Sequence, residues 1–558
     1  MVNEKSALDK ERTKYMPKIP AILRKRIQGI SLKKGKATTC VSNAREIRKH
    51  FPKTYGRPML TFAGGRGPKL ASPLKVGVVL SGGQAPGGHN VIIGLLDGIK
   101  DINPKSRLFG FNGGPKGIFK KDYRELTKKT IDPYRNSGGF DMIGSGRDKI
   151  DSPERLAECK ATCEQLELDA LVIIGGDDSN TNGAVLAEYF LEQGLKTVVT
   201  GVPKTIDGDL RNKEIEVSFG FDTACKFYSE VIGNICRDAN SARKYWHFIK
   251  LMGRNASHVT LECALQTHAN IALIGEEVDK KKMTLAQIVK YAAEVVKKRA
   301  MAGKFFGVCL VPEGLIEFIP EIRKLINELN KILVEHDEYF QSIKRFSDQQ
   351  EFVNQKLSKD SSHVFSSLPA RIQQQLLYDR DDHGNVQVSK IETEKLLIEQ
   401  VSELIAEWAM EGKADKKVSE KFKPQSHFLG YEGRCSFPSN FDANYTYALG
   451  RTAAILIAFG QTGYMAAVTN LTALPEKWRA GGVPLTSLMN METRKGQKVP
   501  VIRKALVDIN GKPFKLFKQN RKKWEMEDDY IFPGAIQYFG PSRICDVPTI
   551  TLLLERGK

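Results

Sequence analysis

The sequence predicts an α/β protein with two parallel-sheet domains and a central cleft, plus a mostly helical insertion and an N-terminal extension. Three observations lead there. Short apolar runs such as KVGVVL, ALVIIGG and KTVVTGVP end in turn residues and alternate with segments of helical apolar spacing. This is the rhythm of βαβ units, whose sheet is covered on both faces. A second series of the same kind follows in YWHFIKLMG, NIALIGEE and KFFGVCLVPEG. The strand series then stops, and IEFIPEIRKLINELNKILVEH and ETEKLLIEQVSELIAEWAMEGK carry apolar residues at three- and four-residue spacing, the mark of amphipathic helices.

The elements divide as follows. Residues 1–73 form the extension, and 16 Lys/Arg against 4 Asp/Glu in the first sixty residues give it +12 of the chain's net +20. Its lack of regular aromatic interleaving favours a solvated or subunit-wrapping segment over a nucleic-acid arm. Residues 74–203 are the first Rossmann-like domain. LKVGVVLSGG is its opening strand, HNVIIGLLDGIK a helix, and RLFGFN, ALVIIGG and KTVVTGVP continue the strands. Residues 204–316 form the second domain from the second strand series, and 317–425 the helical insertion. Residues 426–558 pack back on the α/β domains. In such folds ligands sit at the carboxyl ends of the strands and in the cleft.

Composition narrows the function. No apolar run approaches the ~20 residues that span a bilayer, and the N-terminus has no apolar signal core, so no membrane partner is expected. Nine scattered cysteines without a CxxC pair suit reduced thiols in the cytoplasm. Cys159 and Cys163 fall one helical turn apart, but no histidine lies nearby to complete a zinc site. The modest charge surplus beyond the extension fits a protein that handles anionic small molecules.

Two motifs carry chemistry. SGGQAPGGHN (residues 81–90) joins a strand to a helix through four glycines. Such a loop brings backbone N–H groups to an anion at a helix N-terminus; taken alone, it is equally a tight turn. It has neither the Lys-Ser/Thr of a P-loop nor GxGxxG spacing. GVPKTIDGD (residues 201–209) sets Lys204, Thr205, Asp207 and Asp209 after another strand. A carboxylate there can take a proton from a hydroxyl while the lysine holds phosphate. An isolated DxD is a metal pair or a polar turn.

With GSGRDK, GGDDSN, MGRNASH and PEG in the same order, and HFLGYEGR at 427–434, the chain resembles the phosphofructokinase family, in particular its long-chain pyrophosphate-dependent 6-phosphofructokinases. The resemblance is dense over about 74–315. It implies that Gly82 lies in the loop receiving pyrophosphate, that Arg147 touches a phosphate and that Asp177 holds Mg²⁺. Asp207 would be the general base, flanked by Thr205 and Ile206. Met252, Gly253, Arg254, Glu313, Tyr431, Glu432, Gly433 and Arg434 would clasp fructose 6-phosphate. Lys244 and Tyr245 would reach into a neighbouring subunit's site, which implies a homo-oligomer, expected as a dimer.

The paired carboxylates of GGDDSN then take different roles. ATP-dependent relatives carry glycine at the positions of Asp178 and Lys204, which leaves room for a nucleotide's α-phosphate. Here Asp178 fills that room and repels the phosphate, while Lys204 can hold pyrophosphate. The implied reaction transfers a phosphoryl group from pyrophosphate to the C1 hydroxyl of fructose 6-phosphate. It gives fructose 1,6-bisphosphate and phosphate, and is expected to run both ways. A nucleic-acid partner is not expected.

Overall fold

A computed structural model describes residues 6–70, 72–380, 385–494, 497–535, 543 and 546–557. It comprises two compact units. The first is Met1–Phe227, Glu432–Ala505 and Ile536–Lys558; the second is Tyr228–Tyr431 and Leu506–Ala535.

Along the chain, the first unit begins with β1 (Ile30–Ala37), β2 (Pro58–Gly64), β3 (Lys75–Leu80), β4 (Arg107–Phe111) and β5 (Tyr123–Leu126). β6 (Ala170–Gly175), β7 (Val198–Thr205) and β8 (Phe219–Gly220) follow. The second unit holds β9 (Trp246–Leu251), β10 (Ile271–Ala272), β11 (Gly307–Pro312) and β12 (Pro424–Leu429). The chain then returns to the first unit with β13 (Tyr464–Thr469) and β14 (Arg479–Pro484), followed by the hairpin of β15 (Met489–Arg494) and β16 (Gln497–Ile502).

The first unit's ten-stranded sheet runs β1-β2-β14-β13-β7-β6-β3-β4-β5, with β8 attached to β7. From β13 to β4 the pairings are parallel; the outer ones are antiparallel. The parallel strands are the apolar runs of the sequence, buried along nearly their whole length, as strands covered on both faces must be. Val79, Phe109, Leu171, Ile173 and Val199 share one core with Cys159, Cys163, Leu186 and Phe190 of the covering helices. Helices Gly88–Ile102 and Asn440–Ala458 approach so closely that a Cβ on Gly450 would lie 2.1 Å from the Val91 carbonyl oxygen. Part of the basic N-terminal segment is built into this sheet, because β1 and β2 form its antiparallel edge.

The second unit's sheet, β10-β11-β9-β12, is parallel throughout. The expected helical segment gives helices Pro320–Glu335 and Thr393–Met410, among others. Their Ile322, Leu325, Leu329, Leu397, Val401 and Ile405 share a core with Trp246, Phe248, Cys309 and Val311 of the strands. NIALIGEE splits: only Ile271–Ala272 is strand, and the glycine opens helix Gly275–Lys281. Among the described residues no helix is long and apolar enough to cross a membrane.

Candidate active site

In the first unit, the turns that follow β3, β6 and β7 come together. The glycine loop leaves β3 at Ser81, and Gly82 adopts φ +84°, a conformation that favours glycine. Its N–H donates to the Gly146 carbonyl at 2.8 Å, which fixes GSGRDK beside the loop and brings Arg147 there. Ser179 Oγ donates to Ser81 Oγ at 2.8 Å, tying the loop to the helix that follows β6. That helix, Asp177–Glu192, carries both aspartates in its first turn, where the helix dipole favours negative charge. Asp177 is partly buried and Asp178 exposed. Asn180 donates to the carbonyls of Gly175, Gly176 and Val202, pinning the ends of β6 and β7 together.

Lys204, the penultimate residue of β7, is buried. A Cβ on Gly82 would lie 3.1 Å from its Nζ, so the ammonium stands against the open face of the glycine loop. Burial pushes Lys204 down to about 8. The nearby Arg434 and Arg147 push the same way, while Asp207 and Asp177 oppose them. Four other expected residues thus act on the charge of Lys204. Arg434 Nη2 donates to Gln84 Oε1 at 2.7 Å, and a Cβ on Gly83 would fall 2.3 Å from that same nitrogen. Past the strand, the Asp207 N–H donates to Thr205 Oγ1 at 3.1 Å, and Gly208 turns the chain with φ +75°. Ile206 is buried against Gly220, which also packs on Ala85 and Pro86 of the loop.

In the second unit, residues expected to clasp the sugar phosphate gather at the carboxyl ends of β9, β11 and β12. Buried Glu313 accepts the Gly253 N–H at 3.0 Å and donates its own backbone N–H to the Leu251 carbonyl at 2.9 Å. Gly253 sits at φ +129°. The Met252 N–H donates to the Leu429 carbonyl at 3.1 Å, and a Cβ on Gly314 would fall 1.9 Å from the Arg254 carbonyl oxygen. Tyr431 follows β12 and is exposed. Lys244 and Tyr245 stand apart from this group, at the amino end of β9. A six-residue strand, about 20 Å long, separates them from Met252. Lys244 Nζ lies 5.1 Å from the centre of the Tyr245 ring.

The phosphofructokinase family model matches residues 75–352. Over 553 residues the chain is 55% identical to the pyrophosphate–fructose 6-phosphate 1-phosphotransferase of Porphyromonas gingivalis, covering 99% of both chains. It is 52% identical to the enzyme of the same name from Treponema pallidum, over 99% of this chain and 97% of that one. The chain belongs to the phosphofructokinase family. A solved structure, the pyrophosphate-dependent phosphofructokinase of Marinobacter aquaeolei, shares its fold at a TM-score of 0.54 and 14% identity, over 82% of this chain and 93% of that one.

Phosphofructokinases generally use a divalent metal. Among the described residues no three histidine, cysteine or acidic side chains converge as a cage. The residues still fit a metal of the Mg²⁺ type, which is commonly held by one or two carboxylates, waters and the substrate's own phosphates. Asp177 offers such a carboxylate, and the charges of Asp177 and Asp207 both reach buried Asp209. Burial, then those two charges, raise the Asp209 carboxyl well above its usual range, with Lys504 opposing.

Two residues of this candidate site lie outside the set expected to bind or catalyse. Asp209 stood in a quoted motif, and its alternating DxD was the only signal. Lys504 Nζ lies 3.6 Å from Asp177 Oδ2, and nothing in its neighbourhood VIRKAL announces it.

Proposed function

We propose that the protein is a pyrophosphate:fructose-6-phosphate 1-phosphotransferase acting in glycolysis and gluconeogenesis in the cytoplasm. The observation that carries this reading is the Lys204 ammonium, buried against Gly82 within reach of the charges of Asp177, Asp207, Arg147 and Arg434. A buried cation set against a glycine loop suits a compact polyanion. The carboxylates beside it suit a metal and a proton acceptor.

In this reading Lys204, Arg147 and the loop at Gly82 hold pyrophosphate. Asp178 excludes a nucleotide by bulk and by repulsion of its α-phosphate. Met252, Gly253, Arg254, Glu313, Tyr431, Glu432, Gly433 and Arg434 bind fructose 6-phosphate, with Thr205 and Ile206 flanking the reacting hydroxyl. Asp207 removes the C1 hydroxyl proton as the oxygen attacks phosphorus in line, and inorganic phosphate leaves. Asp177 would hold Mg²⁺, which when bound would supply charge neutralisation on the transferred group. Lys204 stabilises the charge that gathers on the leaving phosphate. The bond broken and the bond formed are both phosphate linkages of similar energy, so the reaction runs in both directions.

The full length of β9, about 20 Å, between Lys244 and Tyr245 and Met252 supports their service in another subunit's sugar site, and hence a homodimer. A ³¹P NMR time course with Mg²⁺, pyrophosphate and fructose 6-phosphate tests the reaction. Expected is one inorganic phosphate and one new C1 phosphate ester for each pyrophosphate consumed, with the reverse conversion from added phosphate. Release of two inorganic phosphates without an ester would make the protein a pyrophosphatase instead.

A further inference from the structure

Lys504 comes to the site from a distant part of the chain, and three backbone contacts fix its approach. The Ile502 N–H donates to Thr181 Oγ1 at 3.0 Å, and Thr181 Oγ1 donates in turn to the Asp177 carbonyl at 2.9 Å. The Arg503 N–H donates to the Leu488 carbonyl at 2.9 Å, and the Ala505 N–H to the Asp209 carbonyl at 2.7 Å. The segment is therefore stitched to the first turns of one carboxylate-bearing helix and to the TIDGD turn. Between these anchors the Lys504 ammonium reaches to 3.6 Å from Asp177 Oδ2, with its side chain 25% exposed and that of Asp177 18%.

An ammonium so close to a metal-binding carboxylate opposes a bare dication in two ways. It occupies the carboxylate's field, and it repels the arriving charge. A metal that arrives with pyrophosphate meets the opposite balance, because the anion's oxygens can take up the displaced ammonium. We infer that Lys504 is a positioning residue that holds Asp177 against free divalent cations and yields it to a metal arriving with pyrophosphate, which the freed ammonium then contacts. The site is thereby biased toward the metal–pyrophosphate complex as the entering species. This inference rests on Asp177 as the metal carboxylate of the proposed function.

The test is an EPR-detected Mn²⁺ titration of the metal-free enzyme, with and without pyrophosphate, beside steady-state kinetics. Lys504→Met keeps the length of the stem and removes the charge; Lys504→Arg keeps the charge and tests folding of the segment independently. Lys504→Met is expected to bind free Mn²⁺ about tenfold more tightly, while its KM for Mg-pyrophosphate rises about tenfold. Lys504→Arg is expected to stay near wild type in both. Asp177→Asn should lose Mn²⁺ binding. If Asp177→Asn loses it but Lys504→Met binds free Mn²⁺ no more tightly than wild type, the role of Lys504 is overturned while the metal site stands. If Lys504→Arg behaves like Lys504→Met, charge is not the cause and the inference fails. Undiminished Mn²⁺ binding by Asp177→Asn overturns the metal's placement and this inference with it.

Discussion

Raising the pH should titrate Lys204, the residue proposed to hold pyrophosphate. Lys204 is buried and pushed down to about 8, chiefly by burial and then by Arg434, with Asp207 and Asp177 opposing. The sign follows directly: the charged form binds the anion, and it is lost as pH rises through that value. About nine-tenths of the free enzyme carries the charge at pH 7 and about one-tenth at pH 9. The kcat/KM for pyrophosphate at saturating fructose 6-phosphate, which reports groups of the enzyme before pyrophosphate binds, should therefore fall about tenfold between those values. Bound pyrophosphate adds negative charge beside the ammonium and raises its pKa, so the alkaline limb of kcat should lie at higher pH. Lys204→Arg supplies the control, because a guanidinium stays charged throughout this range. The shape of its pH profile is the readout: the variant should show no limb near 8. The assay is the initial rate of fructose 1,6-bisphosphate formation at saturating fructose 6-phosphate and fixed free Mg²⁺. An identical alkaline limb in wild type and Lys204→Arg would refute the assignment.

Substitutions at two neighbouring glycines should separate the two substrates. Gly82→Ala forces an alanine into φ +84°, at about 1–2 kcal/mol, and its methyl displaces Lys204 Nζ from a position 3.1 Å away. A modest loss in denaturant melts should accompany a pyrophosphate KM raised about tenfold, or 1.4 kcal/mol. Gly83→Ala instead collides with Arg434 Nη2 and should raise the fructose 6-phosphate KM more than the pyrophosphate KM; the opposite order reassigns Arg434 to pyrophosphate. Asp207→Ala should lower turnover by at least ~10²-fold with little change in the fructose 6-phosphate KM, and near-normal turnover removes it as the base. Subunits of Asp207→Ala mixed with Lys244→Ala should regain activity, because one site of a mixed dimer receives both defects and the other neither. No recovery despite proven subunit exchange places the whole site within one chain.

The buried parallel strands were legible because each is a short apolar run closed by a turn: KVGVVL, ALVIIG and GVCLVP all became strands. The helical segment was equally open, since its three- and four-residue spacing maps onto Pro320–Glu335 and Thr393–Met410. Motifs local in sequence kept their local geometry: Gly82 turns the loop after β3, Lys204 stands near the end of β7 and Asp207 lies in the turn that follows, whereas the Glu313–Gly253 bond joins two motifs 60 residues apart. What lay hidden is long-range. β13 pairs with β7 although five strands, β8 to β12, lie between them along the chain, and periodicity carries no information about such pairing. The ammonium of Lys504 against Asp177, and the guanidinium of Arg434 against Gly83, depend on where distant segments return. Asp209 was visible, but its raised carboxyl depends on burial beside two other carboxylates, which the alternating motif does not encode.

The donor decides the account. Purified enzyme should be assayed for fructose 1,6-bisphosphate formation with pyrophosphate and with ATP, each as its Mg²⁺ complex, for wild type and for Asp178→Gly with Lys204→Gly. With Asp178 and Lys204 in place, kcat/KM should favour pyrophosphate so strongly that ATP gives only background. The double variant should lose most pyrophosphate activity and prefer ATP. Efficient turnover of ATP by the wild type would contradict the assignment of pyrophosphate as donor, and a double variant that still uses pyrophosphate well and ignores ATP would show that Asp178 and Lys204 do not select it.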